Sequence, residues 1–567
     1  MFVKLTKSGP RSYVQLVQAY RDEAGRPKQR TVATLGRLDQ IGESVRSMHD
    51  GLSRLLGMDP VETEGNGTTS FESSRALGDV WVLTELWKQL GLDRLEQSFG
   101  QVSRHRFDLQ ASLRIMVMNR LCDADSKLGV LRWLQTVSLP GLELTKVSHQ
   151  QLLRTMDALI EHQDLVDQAL VRAVRPMVDD QLSVVFYDMT TIGTEGESEQ
   201  AGDVRQFGMA KEGIVARQFM LGLVQTAQGV PLYHEVFEGN TAEVSTLQGS
   251  IRKVMERFPV QRVIAVADRG LLSLENLQDL QAMRLANGNP LEFILAVPGR
   301  RYGEFADLLE PVNQQVAQSE EAEIVSEQTW QGLRLVIAHD RYRATEQGAQ
   351  RDQQIAALEA QAAQWVGKLD EQDAGVRKRG RALSDGGVRA RFYHAVAEAR
   401  LRRIIKVDLK SELFSYEIDA QALALARAMD GKLLMVTNAS DLAPEAVVTQ
   451  YKALADIERG FKVLKSEIEI GPVHHRLPDR IRAHAMICFM ALVMHRVMRA
   501  RLREHPVDNV ASPERALSIL RRVQTHRIVL AAKKAITGIS TLDAEQTALL
   551  TSLGIKKPTS SDRYTNL

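Results

Sequence analysis

The pattern of apolar and polar positions changes character several times along the chain. At the start it is strand-like: Ser12–Tyr20 is rich in β-branched and aromatic residues, Glu23-Ala-Gly25-Arg-Pro27 supplies a turn, and Arg30–Leu35 can return as a partner. Residues 1–60 thus read as a small β-rich segment. Residues 61–75 read as a linker, because Glu62–Ser70 is polar and rich in Gly, Ser and Thr. From Leu77 to Val178 the spacing turns helical. Val80, Leu83, Leu86 and Trp87 recur at helical intervals, with Gly91 placed to end that helix. Asp108 can cap a helix carrying Leu113, Val117 and Leu121, and Ser148-x-x-Gln151 is a capping-box signature ahead of Leu152, Met156 and Leu159. The helical region 76–180 has Arg and Lys on its polar sides. That suits reading a duplex in helix-turn-helix manner, and equally suits a packing or dimerisation bundle.

At Leu182 the pattern changes again. Leu182-Ser-Val-Val-Phe-Tyr187 is a short apolar run ending in Asp188, as in a buried strand. Arg217–Thr226 and Val230–Phe237 predict two more strands, joined through Ala227-Gln-Gly229. Asn240-Thr-Ala-Glu243 opens an amphipathic helix with Val244, Leu247, Ile251, Val254 and Met255 on one side. Arg262–Ala267 is a strand run stopped by Asp268, a helix follows from Ser273 to Leu285, and Phe293–Val297 makes a fifth strand. The order β-β-β-α-β-α-β predicts an α/β fold, a mixed sheet with flanking helices. It is the order of the ribonuclease H-like fold, where acids sit on the first strand, at the end of the fourth and on a later helix.

Between Gly299 and Met429 this pattern is interrupted. Glu323–Val325 and Leu333–Ala338 read as strands and Gly386-Gly387 as a hinge; Asp352–Leu369 reads as a helix with Ile355, Leu358, Ala362, Trp365 and Leu369 in heptad positions. The core therefore spans 181–299 and 430–500 around an α+β insertion at 300–429. Leu433–Val436 returns as a strand, and 501–567 is a basic helical region.

Composition adds three points. A chain of 567 residues exceeds one compact core, so several domains are expected. The net charge of +1 does not advertise a nucleic-acid partner, but Tyr451–Leu567 carries 20 Lys and Arg against 11 Asp and Glu, an asymmetry that suits phosphate backbones. Cys122 and Cys488 lack metal-ligand spacing, the N-terminus lacks a signal-peptide core, and Ala485–Met494 is too short to span a bilayer. A soluble, cytoplasmic protein with no membrane partner is expected.

The chemistry resides in carboxylates. Phosphoryl transfer at a DNA backbone needs an activated water or 3′-hydroxyl and a clamp on developing charge, which two divalent cations held by oxygen donors supply. Asp188 and Asp268 each follow an apolar strand run, at the sheet edge where functional sites gather. Tyr451, Glu458 and Lys465 stand seven residues apart on a helical segment and so share a face, able to meet phosphate, metal and phosphate in turn. The plainer reading of Glu458 is a solvated i,i+4 pair with Lys462.

Residues 182–500 resemble the catalytic core of bacterial insertion-sequence DDE transposases, the superfamily whose third motif is Y-x2-R-x3-E-x6-K. Tyr451, Glu458 and Lys465 match in register, while Leu454 stands where the motif has arginine, so Arg459 or Lys452 substitutes or that phosphate contact is absent. Phe186-Tyr-Asp188-Met-Thr190-Thr, Phe237-Glu-Gly-Asn-Thr241, Val266-Ala-Asp268-Arg-Gly-Leu-Leu-Ser273, Asp430-Gly-Lys and Gly471-Pro-Val-His-His475 also fit. The resemblance implies a catalytic triad of Asp188, Asp268 and Glu458 with two divalent ions, Mg2+ or else Mn2+. It implies double-stranded DNA as partner, both terminal inverted repeats and target, and a homodimer that synapses two ends in the bacterial nucleoid. Beside Tyr451, Lys462 and Lys465, the candidate DNA contacts are Lys211 beyond the first strand, Arg269 adjoining the second acid, Arg459, and His474 and His475 in a Gly-Pro loop context. Trp330 is a candidate stacking partner for a flipped base. Two other functions compete: a catalytically inactive, transposase-derived DNA-binding regulator, and a phosphatase using Asp188 as nucleophile, which would want an acid where Thr190 stands.

Overall fold

The computed structural model describes residues 1–8, 11–22, 27–37, 41, 70–102, 107–141, 147–178, 183–196, 198–209, 215–242, 246–258, 261–267, 274–375, 383–529 and 535–559. The chain forms two compact units, Met1–Ser73 with Arg527–Thr537, and Ser74–His526 with Gly538–Leu567.

The first unit holds an antiparallel meander of β1 (Phe2–Ser8), β2 (Arg11–Arg21) and β3 (Pro27–Arg37). β2 and β3 are the two expected strands. β1 was not expected, and its residues are mostly exposed, so no buried face writes an alternation into its sequence. Most of the expected turn at 23–27 and most of the expected linker lie outside the described residues. The linker's last residues form a strand, β4 (Ser70–Ala76), whose final residue is bridged to Val137.

In the second unit the helical expectation is met by α1 (Gly78–Gln89), α2 (Leu95–Val102), α3 (Leu109–Cys122), α4 (Lys127–Trp133), α5 (His149–Glu161) and α6 (Gln163–Val174). Asp108 caps α3 and the Ser148/Gln151 capping box opens α5, each satisfying backbone N–H groups that the first helical turn leaves without partners. α3 is buried from Leu109 to Arg120. These helices share one hydrophobic core with the sheet that follows.

That sheet begins with β5 (Ser183–Gly193), β6 (Gln206–Met209), β7 (Val215–Thr226) and β8 (Pro231–Glu238). Then come α7 (Leu247–Arg257), β9 (Val263–Ala267), α8 (Leu274–Ala282), β10 (Glu292–Ala296) and α9 (Ala306–Gln318). Next are β11 (Glu323–Trp330), β12 (Leu333–Asp340), α10 (Arg341–Asp373) and α11 (Asp385–Glu398). The short strands β13 (Ile405–Val407) and β14 (Tyr416–Ile418), α12 (Ala420–Met429) and β15 (Lys432–Thr437) follow. Among the described residues nine strands form one mixed sheet, ordered β11-β12-β15-β10-β9-β5-β7-β6, with β8 also on β7. β9 runs parallel to both β5 and β10, and the other pairings are antiparallel. The protein is thus mixed α/β, with helices packed on a large mixed sheet.

The stretch expected as an insertion divides in two. β11 and β12 extend the main sheet through β15, joined by a tight turn in which Gln331 and Gly332 both take positive φ, 50° and 77°. Residues 341–429 instead carry a second core, in which Ile355, Leu358 and Ala362 of α10 meet Phe392 and Val396 of α11. The expected Gly386-Gly387 hinge lies within the first turn of α11, because Ser384 accepts a hydrogen bond from Gly387 N and caps the helix there.

The chain ends with α13 (Pro444–Lys452), α14 (Ala455–Ser466), α15 (Pro478–Glu504), α16 (Pro513–Leu520), β16 (Gln524–Val529), β17 (Ala535–Ile539) and α17 (Ala544–Ser552). α15 is long and apolar enough to cross a membrane by length and composition, yet 94% of its most apolar window is buried inside the protein. It packs against α3, α5 and β8 as a central core helix.

Candidate active site

β5 positions the first acid. Asp188 is half-buried, and its Oδ1 accepts a hydrogen bond of 2.7 Å from Met189 N. Its antiparallel partner on β7 is Leu223. Directly opposed residues of such a pair project from the same face, so Asp188 and Leu223 share one side of the sheet. Tyr187 points to the other side, where its hydroxyl meets Thr246 beside α7.

α14 lies on the Asp188 side. A β-carbon on Gly460 would come 3.4 Å from Leu223 Cδ2 and 3.1 Å from Gln225 Oε1. Glycine at 460 therefore lets the helix backbone approach the sheet closely, directly over the cross-strand partner of Asp188. Ile457, Phe461 and Leu464 are buried beneath the helix, while Glu458, Arg459, Lys462 and Lys465 are exposed along it. Among the described residues, Glu458 has no hydrogen-bond or ion-pair partner, so the plain Glu458–Lys462 surface pair is not formed. Lys465 lines a hollow of about 350 Å3 with Thr191, Ile192 and Gly193 at the far end of β5.

The shared helical face expected of Tyr451, Glu458 and Lys465 is interrupted. Tyr451 belongs to α13, and the chain passes to α14 through a turn at Ala453–Leu454. Leu454 N donates to Tyr451 O at 3.0 Å and Ile457 N to Leu454 O at 2.9 Å, the tighter i to i−3 spacing. The seven-residue argument holds for Glu458 and Lys465 on α14 and fails for Tyr451. Leu454, in the place of the motif arginine, is 7% exposed and part of the main core. Lys452 is ion-paired with Glu323 of β11, whereas Arg459 stands next to Glu458 on α14.

Asp268, Arg269 and Lys211 lie outside the described residues. The strand leading to Asp268 is described: β9 runs parallel to β5 with Ala267 opposite Tyr187. Asp188 and Asp268 are therefore each the next residue in sequence after a paired position. Among the described residues no three His, Cys, Asp or Glu side chains gather as a metal site.

The remaining candidates separate. Trp330 is half-buried on β11 with its ring 5.1 Å from that of Phe305. His474 is exposed. His475 lines a basic pocket, and its pKa is pushed down to about 4 by burial and by the neighbouring Lys127 and Arg480 charges. His484 is 7% exposed and hydrogen-bonded through Nε2 to Ile470 O, the core histidine its place in an apolar helix predicts. Sequence reading missed Lys127, which is buried in the same pocket, because a lysine at a helix start carries no signal of burial.

Comparison with known families decides what this arrangement belongs to. The family model described as "Transposase DDE domain" matches residues 179–494, more than half of the chain. The chain belongs to the DDE transposases. A second family model, "IS1634 family transposase, N-terminal domain", matches residues 3–61 and so places the transposase among those of insertion sequences. No curated protein matches it. Among solved structures, the cryo-EM structure of the piggyBac transposase synaptic complex with hairpin DNA aligns with 78% of this chain and 76% of that chain, at 8% identity and a TM-score of 0.37. Family membership makes the transposase an enzyme of DNA transposition, and its DDE match spans Asp188, Asp268 and Glu458.

Proposed function

We propose that this transposase cuts DNA at the ends of its element and joins the freed strand to target DNA, using Asp188, Asp268 and Glu458 on a ribonuclease H-like core. The observation carrying the reading is the seating of α14 at Gly460 over Leu223, which supports bringing Glu458 to the Asp188 side of the sheet. The β5–β9 register supports Asp268 as the neighbouring acid on that edge. The strand order β8-β7-β5-β9-β10, with three antiparallel strands followed by two parallel ones, supports the ribonuclease H-like assignment.

The donor chemistry fits divalent cations. The three groups are carboxylates, the hard oxygen ligands that Mg2+ or Mn2+ takes, and Glu458 has no competing partner among the described residues. When bound, a pair of such ions supplies an activated nucleophile and a clamp on the developing charge. Lys462 and Lys465 on α14, with Arg459 and Tyr451 beside them, hold backbone phosphates in register. Water attacks the scissile phosphorus and the 3′-oxygen leaves as a hydroxyl. That hydroxyl then attacks a target phosphodiester, with one bond formed and one broken at each step. Two copies bind two ends.

The test is nicking of DNA carrying the inverted repeats that flank the reading frame, with Mg2+. Wild type nicks and Glu458→Gln binds without nicking. Wild-type binding with no cleavage in any divalent ion would instead describe a DNA-binding regulator.

A further inference from the structure

A pocket of about 860 Å3 opens beside the hollow at Lys465, and neither Asp188 nor Glu458 lines it. It shares Gly471 and Pro472 with the hollow at Lys465, so the two form neighbouring stretches of one surface. Its floor holds two cations, Arg120 and Lys127, each only 5% exposed. Among the described residues neither is ion-paired: Arg120 donates to the carbonyls of Ile468 and Glu469, and Lys127 has no hydrogen-bond partner. Arg480 on the rim is already held by Asp157, at 2.7 and 2.9 Å. Two acids, Asp125 and Glu469, also line the pocket. Asp125 is turned onto its own helix start, accepting from Ser126 N and pairing with Arg132.

A buried cation without a counter-charge is expensive unless something supplies one. We infer that this pocket is an anion site that receives a backbone phosphate of the DNA strand running past Lys465, with Lys127 and Arg120 as its charges. The inference rests on the transposase reading for its ligand. The two cations converge from α3 and α4, which suits a tetrahedral oxyanion. Burial holds Lys127 down at about 7, and an entering phosphate restores its charge.

The experiment measures binding of the full-length protein to a random-sequence duplex in EDTA, across a range of NaCl concentrations. Lys127→Met weakens binding about tenfold and lowers the slope of log K against log salt by about 0.9, the signature of one lost phosphate contact. His475→Gln, a milder change in the pocket wall, serves as a second variant and lowers affinity without changing the slope. In addition, inorganic phosphate raises the Tm of wild type above that in chloride at equal ionic strength, and Lys127→Met abolishes the difference. An unchanged slope in folded Lys127→Met, or no phosphate effect on wild type, overturns the pocket. Neither outcome depends on nicking by Glu458→Gln, so the catalytic reading stands or falls separately.

Discussion

Gly460 of α14 rests against Leu223 of β7, with 3.4 Å between Leu223 Cδ2 and the place a β-carbon would occupy. Leu223 is the cross-strand partner of Asp188, so this contact sets the height of the helix bearing Glu458 above the first acid. Gly460→Leu forces the helix outward, because even its β-carbon would lie 3.1 Å from Gln225 Oε1 and 3.2 Å from Arg496 Nη2, both on buried side chains, and the rest of the leucine has no room beyond Leu223. The expected result is at least a tenfold fall in nicking rate with DNA affinity within about threefold of wild type, since small misplacements of catalytic groups are costly. Nicking and binding assays on the same preparation check it, and equal rates for variant and wild type would refute it.

Asp203 anchors a buried ion network. It accepts from Arg205 Nε at 2.9 Å and Nη2 at 2.7 Å, and from Arg217 Nη2 at 3.2 Å. Burial opposes its charge, but these hydrogen bonds and the two guanidinium charges prevail and hold its pKa below the usual carboxylate range. Asp203→Ala leaves Arg205, 1% exposed, without its counter-charge, which costs about 3–5 kcal/mol. Thermal melting shows a clear drop in Tm for Asp203→Ala. Asp203→Asn, which retains some hydrogen bonding, falls between it and wild type.

Lys127 makes stability depend on alkaline pH. Burial, with Arg120 adding to it, lowers its pKa from 10.5 to about 7 in the folded protein. Between those two values the unfolded chain keeps the proton and the folded chain has lost it. Stability in the absence of DNA therefore rises with pH across that window, by up to about 1.4 kcal/mol per pH unit. Lys127→Met removes this contribution and is more stable than wild type at neutral pH. Denaturant melts at pH 7 and pH 9 measure it, and the gap between the two proteins narrows at the higher pH.

Glu514 acts in the opposite direction. Burial raises its pKa, but hydrogen bonds from His495 and Ser512 and the His495 charge outweigh that and hold it at about 2, against an ordinary 4.5. Its contribution is present above about pH 4.5 and is lost as pH falls toward 2. Glu514→Gln lowers Tm at pH 6, and the difference from wild type shrinks at pH 3.

The local periodicities were readable in the residues themselves. Apolar runs at 182–187, 217–226, 230–237, 262–267 and 293–297 declare strands by their largely apolar character, though the first does not stop at Asp188 and its strand continues to Gly193. The Asp108 and Ser148 caps declare helix starts by short-range hydrogen bonding alone. Asp188 was likewise visible as a charge interrupting an apolar strand, and Glu458 and Lys465 as a pair two turns apart. What the residues in isolation did not carry was anything set by neighbours distant in the chain. That β11 and β12 join the main sheet depends on β15, about a hundred residues on, lying between them and β10. The turn between Tyr451 and Glu458 arises because Leu454 must reach the core, a demand of packing that heptad spacing does not contain. The burial of Lys127 is set by residues distant in the chain, Arg120, the loop at 471–477 and His484, which line one pocket with it. Sequence determines the elements, since their signals act over a few residues. Only the tertiary structure decides which faces meet, because desolvation and charge at any position are set by whatever else folds against it.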